Sequence, residues 1–407
     1  MIPTRYFIDP FGCVKNQVDA ENMMARLNSS GWENVPEAEH ADVIIVNSCG
    51  FIESAKQESI NAVIEWRKLF PRKKIILAGC LSQRYAKELP QILPEADEFI
   101  GVNELVNNSP GERPLLSLPG SAYVKISEGC SNNCSYCAIP LIRGSLVCRT
   151  IPDIVSECSA LLERGINELC IVGQDIGAYD DLPELLQAIS RLKGNFWVRL
   201  LYIHPDHFPL QILDIIEQDP RFLPYFDIPF QHASAKILTA MNRKGNAEKY
   251  LELLQTIRSK LPNAVLRSTF LLGFPGETEE DFAALLDFQE KAALDWAGCF
   301  TYSREEGTAA FSMKGRVPEK TAAMRKQILE ERQIPITEKN IERFTGQTMD
   351  VLIEEQIDEF YLGRLYCQAP DIDGAAVIIS EQKNLQPGTF TKCKVTARRG
   401  IDLEVYI

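Results

Sequence analysis

From residue 5 to residue 302, short apolar β-branched runs alternate with stretches patterned for helices, a rhythm that points to parallel sheets whose crossovers are helical. In the first hundred residues the strands are Tyr6–Ile8, Val43–Val46, Ile75–Leu77 and Phe99–Ile100, and Ala20–Leu27, Ser54–Leu69 and Gln83–Leu93 read as helices. This is the pattern of an α/β, doubly wound domain. Such sheets bind ligands beyond the carboxyl ends of their strands, and Cys13, Cys49 and Cys80 each lie a few residues past a different strand. Each stands beside a glycine, in Phe11-Gly12-Cys13, Asn47-Ser48-Cys49-Gly50 and Ala78-Gly79-Cys80, which lets backbone approach a bulky group. Three thiols converging there could hold a metal cluster. The alternative is that they are small buried hydrophobes, the ordinary fate of free cysteine.

Residues 106–120, with Pro110-Gly111, Pro114 and Pro119-Gly120, read as a linker. A longer alternation follows, with strands at Tyr123–Ile126, Leu169–Val172, Trp197–Leu200, Phe226–Ile228, Val265–Leu272 and Cys299–Tyr302. Asp153–Glu163, Leu182–Leu192, Glu248–Leu261 and Glu279–Lys291 are helices between them, which suits a partial (βα)6 TIM-like barrel with its chemistry at the strand C-termini. A helical stretch, Glu319 to about Glu342, carries Pro335, which should kink or interrupt it. Beyond Gly346, short β-like runs between Gly and Pro turns suggest a small C-terminal β-barrel. The expected domains are 1–112, 113–342 and 343–407.

Just past the first barrel strand, Gly129-Cys130-Ser-Asn-Asn-Cys134-Ser-Tyr136-Cys137 puts three thiolates in one loop. Structural zinc closes its tetrahedron with four protein ligands, and no fourth His or Cys stands nearby. A redox dithiol would need only Cys134 and Cys137. Three thiolates suit an iron–sulfur cluster with one iron left open.

The twelve cysteines are too sparse for a disulfide scaffold in 407 residues, so a reducing compartment is expected. No apolar run approaches the ~18 residues of a membrane span, and Met1-Ile-Pro-Thr-Arg5 leads into a strand without a signal-peptide pattern. A cytoplasmic protein is expected. The net charge of −13 argues against a large nonspecific nucleic-acid footprint.

The Cys-x3-Cys-x2-Cys spacing, with Tyr136 before its last cysteine, resembles the signature of radical S-adenosylmethionine enzymes. Together with Cys13, Cys49, Cys80 and a terminal β-barrel, it resembles the methylthiotransferase family across essentially the whole chain. The resemblance implies two 4Fe–4S clusters and S-adenosyl-L-methionine as cofactors, one cluster on Cys130, Cys134 and Cys137 for radical generation, the other on Cys13, Cys49 and Cys80 for sulfur delivery. It also implies that the tail is a TRAM domain. Cofactor contacts are expected from Gly173, Gln174 and Asp175 past the second barrel strand, from Gly273 and Glu277 past the fifth, and from Tyr136 beside the adenine. His232 reads as structural, as do Cys158, Cys170, Cys299, Cys367 and Cys393.

Members of the family modify either adenosine in transfer RNA or an aspartate of ribosomal protein S-twelve in the small subunit. The chain resembles the second branch in Phe11-Gly-Cys-Val-Lys-Asn-Gln17, Ala122-Tyr-Val-Lys-Ile-Ser-Glu-Gly129, Ala138-Ile-Pro-Leu-Ile-Arg-Gly144, Gln174-Asp-Ile-Gly-Ala-Tyr179, Tyr202-Ile-His-Pro205 and Pro224-Tyr-Phe-Asp-Ile-Pro-Phe-Gln-His232. It departs from the family at Cys148-Arg149, where Ser-Arg is common, and in a short connection from Tyr179 to Leu182. Residues 345–407 hold ten acids against six bases, a balance suited to docking a basic ribosomal protein rather than gripping RNA. The resemblance thus implies a transferase that adds a methylthio group to the aspartate β-carbon, served by a low-potential electron donor such as flavodoxin or ferredoxin. The rival readings are a transfer-RNA methylthiotransferase and a noncatalytic iron–sulfur or RNA-binding adaptor.

Overall fold

In the N-terminal sheet, six consecutive buried residues in Val43–Ser48 form the central strand. A strand covered on both faces reads as a continuous apolar run, which is the sequence signature of a parallel sheet. The structure, a computed structural model, describes residues 3–105, 112–358, 360–382 and 384–407. Here β1 is Arg5–Pro10, β2 Glu33–Asn34, β3 Val43–Ser48, β4 Lys74–Gly79 and β5 Glu98–Gly101, in the order β2-β1-β3-β4-β5. Every pairing is parallel. Two apolar layers cover the sheet, one around Val46, Val63 and Leu77 and the other around Tyr6, Met24 and Ile45.

The strand β2 is a finding the sequence did not announce, because its two residues are exposed and polar. The single helix expected over Gln83–Leu93 is two pieces, Cys80–Arg84 and Leu89–Ile92. Pro90 sits in the first turn of the second piece, where its missing N–H costs nothing, and cannot continue a ladder begun upstream. Part of the expected linker, residues 106–111, lies outside the described residues.

The chain divides into two compact units. One holds residues up to 117 with 128–147 and 303–312, and the other holds 118–127, 148–302 and 313–407. In the second, strands β6 (Ser121–Lys125), β7 (Glu168–Val172), β8 (Trp197–Leu200), β9 (Phe222–Asp227), β10 (Val265–Leu272) and β11 (Trp296–Thr301) form an open six-stranded parallel sheet in sequence order. The expected partial barrel is present. Of the kink or interruption expected at Pro335, the interruption does not occur: the helix Glu319–Ile341 continues through it. Buried anchors on both sides hold it: Gln333 Nε2 donates to Leu294 O at 2.9 Å and Thr337 Oγ1 to Asp295 O at 2.7 Å.

The tail closes into a five-stranded barrel, Thr348–Ile357, Phe360–Arg364, Ala376–Ile379, Phe390–Arg399 and Asp402–Tyr406. It joins the six-stranded sheet through buried charge. Glu168, at the first residue of β7, meets Arg199 Nε at 2.8 Å and Arg364 Nη2 at 2.5 Å, all three buried. Arg364 Nε also donates to Glu354 at 2.6 Å, and Arg199 Nη1 to Tyr366 O at 2.9 Å. Burial works to raise the Glu168 carboxyl, but Arg364 and Arg199 outweigh it and hold the group at about 2. Tyr225 donates to Asp373 at 2.6 Å, and Trp296 Nε1 to Cys367 O at 2.8 Å.

Two of the tail's acids, Glu354 and Asp373, are therefore turned inward, the Asp373 side chain only 1 % exposed. That reduces the acid surplus available to a partner. The expected stability consequence is sharp. Arg364→Met leaves Glu168 short of its main counter-charge and should cost about 3 kcal/mol in chemical denaturation, with Glu168→Gln in the same chain recovering part of it. Wild-type stability in the single variant would contradict this assignment.

Candidate functional site

Register explains why the first three cysteines meet. Pro10 pairs with Asn47, and Asn47 with Ala78, so the ends of β1, β3 and β4 are level. Cys49 and Cys80 lie two residues beyond the Asn47–Ala78 pair and Cys13 three beyond Pro10, so all three leave the sheet at one edge. The loops touch: a Cβ on Gly50 would stand 2.7 Å from Cys80 O, and one on Gly12 3.2 Å from Cys49 Cβ. Asn16 fastens them, its Nδ2 donating to Ser48 O at 2.8 Å while its own carbonyl accepts from Asn47 Nδ2 at 2.9 Å.

The thiols are electrically distinct. Cys13 caps helix α1 (Val14–Ser29). Crowding round its sulfur works to raise its pKa, but Lys15, Arg143 and the N–H groups of Asn16 and Lys15 more than offset this and lower it. Burial raises Cys49, with Cys13 adding to the effect. Burial pushes Cys80 up to about 12, partly offset by Arg143 and reinforced by Cys13. Cys49 and Cys80 both feel Cys13, in keeping with the level strand ends that bring the three loops together.

Residues 128–147 belong to the same unit. Gly129, at φ +68°, makes the turn that opens the loop, and a Cβ there would collide with Ser145 O. Cys130 N donates to Gly144 O at 3.1 Å and Cys137 N to Cys134 O at 3.0 Å, folding the three cysteines, each half-buried, into one compact loop. Tyr136 is half-buried within it. The loop runs into a short helix, Ile139–Arg143, whose Ile142 packs with Ala138, Cys80, Val102 and Phe51. At its last residue, the Arg143 side chain is 1 % exposed and touches Asp19, Glu128, Asn16 and Cys80.

A second feature without a sequence signal is the 303–312 segment. Glu305 is buried and meets Arg84 Nη1 at 2.6 Å and Lys56 Nζ at 3.1 Å, while Arg84 also donates to Gly50 O at 2.9 Å. Ala310 N donates to Ser135 O at 2.7 Å. The strap thus meets the Cys130 loop directly and the Cys49 loop through Arg84.

In the other unit, Gly173 follows β7. A Cβ there would lie 2.7 Å from Ser127 Oγ, a buried hydroxyl with no hydrogen-bond partner among the described residues. Gly173 thus gives Ser127 room to approach the backbone, and the orphaned buried hydroxyl suits a polar group such as the end of a cofactor. Gln174 is half-buried. Asp175 is committed within the protein: Oδ1 accepts from Gly177 N and His204 N, both at 3.0 Å, and Oδ2 lies 2.9 Å from His207 Nδ1. Its ligand atoms and those of His204 and His207 fall within 4.8 Å of one another, a grouping the sequence reading missed. Burial, with Arg243 nearby, lowers His204 to about 4, and the hydrogen bond that His207 donates to Asp175 raises His207.

Gly273, at φ +76°, has no room for a Cβ against Ala322, and Glu277 closes its turn by accepting from Gly273 N at 2.8 Å and from Arg325 Nη1 at 2.6 Å. Both residues therefore shape the strand end. His232 is wholly buried, with Nδ1 accepting from Ser234 N at 3.0 Å and Nε2 3.6 Å from Glu277, in keeping with the structural role expected of it.

Residues 5–101 match the uncharacterized protein family UPF0004, 124–288 the Radical SAM superfamily and 345–407 the TRAM domain. The ribosomal protein uS12 methylthiotransferase RimO of Treponema denticola is 44 % identical, covering 98 % of this chain and 99 % of its own. That of Aquifex aeolicus is 40 % identical, with 96 % and 94 % covered. The chain belongs to the RimO methylthiotransferase family. Among solved structures, the radical S-adenosylmethionine methyltransferase TsrM of Kitasatospora setae, with cobalamin and a 4Fe–4S cluster bound, matches the fold at TM-score 0.56 and 14 % identity, covering 76 % of this chain and 74 % of that one. As a radical SAM transferase, a RimO-family protein takes a 4Fe–4S cluster and S-adenosylmethionine. Among the described residues no helix is long and apolar enough to cross a membrane.

The thiol environments make a direct prediction for the metal-free protein. Near neutral pH iodoacetamide should modify Cys13, exposed and lowered in pKa, on the order of tenfold faster than buried Cys80. Peptide mapping by mass spectrometry reads the order, and equal rates would contradict it.

Proposed function

We propose that this chain is a radical S-adenosylmethionine enzyme that adds a methylthio group to the β-carbon of an aspartate in ribosomal protein uS12, in the cytoplasm. In this reading Cys130, Cys134 and Cys137 hold the radical-generating cluster and Cys13, Cys49 and Cys80 a second 4Fe–4S cluster for sulfur delivery. The observation that carries it is the level ending of β1, β3 and β4, which gathers a second thiol trio in the same unit as the Cys130 loop. Near-full-length similarity to proteins named for uS12 supports the substrate.

Bound at these sites, the clusters and S-adenosyl-L-methionine would supply a 5′-deoxyadenosyl radical and a sulfur, chemistry that an unactivated carbon beside a carboxylate requires. The chain's own residues do the rest. The Gly129 turn and Cys130 amide hold the first loop, Asn16 and the strand ends hold the second, and Gly173, Ser127 and Gln174 would receive the polar end of the cofactor. Tyr136 would serve its adenine. Asp175, Gly273 and Glu277 act by keeping the strand ends in shape. A low-potential donor of the flavodoxin or ferredoxin kind supplies electrons.

Replacing Cys13, Cys49 and Cys80 with Ala should abolish methylthiolation while preserving reductive cleavage of S-adenosylmethionine, and replacing Cys130, Cys134 and Cys137 should abolish both. Loss of cleavage in the first variant, with its remaining cluster intact, would show the division of labour to be wrong. Offered uS12 and transfer RNA under the same anaerobic reducing conditions, the wild type should place sulfur on the protein. Mass spectrometry showing sulfur only on RNA would overturn the substrate.

A further inference from the structure

Arg143 is a cation that the family resemblance gave no task. It closes the short helix that begins two residues after Cys137, yet its guanidinium reaches into the other cysteine trio. Nη2 lies 3.1 Å from Cys80 Sγ, 2.6 Å from Asn16 Oδ1 and 2.8 Å from Asp19 Oδ2, and Nη1 donates to Glu128 Oε1 at 2.8 Å. Burying a guanidinium costs several kcal/mol. Asp19, itself 1 % exposed, and Glu128 offset that cost, one from helix α1 and the other from the strand end preceding Cys130. An ion pair alone would need no sulfur.

We propose that Arg143 is a positioning residue that donates a hydrogen bond to the Cys80 sulfur when that sulfur ligates the N-terminal cluster, raising that cluster's reduction potential while tying the Cys130–Cys137 loop to it. The inference rests on the two-cluster reading above. In the metal-free protein the Cys80 thiol donates to Asn16 Oδ1 at 3.1 Å. A ligating thiolate has lost that proton, and the Arg143 N–H then remains as a charged donor to the sulfur. Hydrogen bonds and positive charge at a ligand sulfur favour the reduced, more negative cluster. Because Arg143 is linked by so short a chain to Cys137, the residue that tunes one site also fixes the loop of the other.

The test uses the full chain with Cys130, Cys134 and Cys137 replaced by Ala, so that only the N-terminal cluster remains. Iron analysis and a potentiometric titration followed by electron paramagnetic resonance compare Arg143, Arg143→Met and Arg143→Lys in that background. Arg143→Met should lower the midpoint enough to cut the reduced-to-oxidised ratio at a fixed potential at least tenfold, about 59 mV for one electron. Arg143→Lys should fall between. An unchanged midpoint in an iron-replete Met variant would overturn the proposal and leave the two-cluster reading standing. If the Met variant holds no iron, the Lys variant decides, a lowered midpoint supporting the proposal and an unchanged one overturning it. Failure of the Arg143 background itself to hold a cluster would overturn the two-cluster reading, and this proposal with it.

Discussion

Parallel strands end together, and the chemistry assigned to this chain depends on that constraint. Because β1, β3 and β4 pair in register through Pro10, Asn47 and Ala78, residues placed shortly after each strand arrive at one edge whatever their distance in sequence. The same rule operates in the six-stranded sheet, where Gly173, His204 and Gly273 each follow a strand end. A parallel sheet cannot make its backbone hydrogen bonds without fixing this common edge.

The opposite end is closed by different means. Glu168, Arg199, Arg364 and Glu354 form a buried charge network that docks the terminal barrel against the first residues of the strands. Such networks contribute less net stability than their short distances suggest, because each ion has been stripped of water. What they impose is a geometry, since removing one member strands another. The terminal barrel is thereby fixed to the base of the sheet, and part of its acidity is consumed inside rather than offered to a partner.

The strand–helix rhythm was legible, down to most strand positions, because period and turn residues are local signals. The meeting of Cys13, Cys49 and Cys80 was legible from their places past three strand ends, while the cluster expected on them drew on the family resemblance as well. What stayed hidden depends on distant pairs. Arg143 meets Asp19 across 124 positions, and Glu305 meets Lys56 across 249, so no window of sequence contains either partnership. Asp175 illustrates the converse: its place after a barrel strand was visible, but its commitment to two backbone amides and His207 was not. Pro335 does not end its helix because the buried Gln333 and Thr337, whose partners lie about 40 positions away, hold the helix on either side.

The central claim is that the two trios hold two separate clusters, each with an iron that no cysteine binds. Mössbauer spectroscopy of the full-length protein reconstituted with iron-57 tests it most directly. Two four-iron clusters per chain are expected, with S-adenosylmethionine perturbing one iron of one cluster and leaving the other cluster unaltered. A single cluster per chain, or equal perturbation of both by the cofactor, would contradict the account.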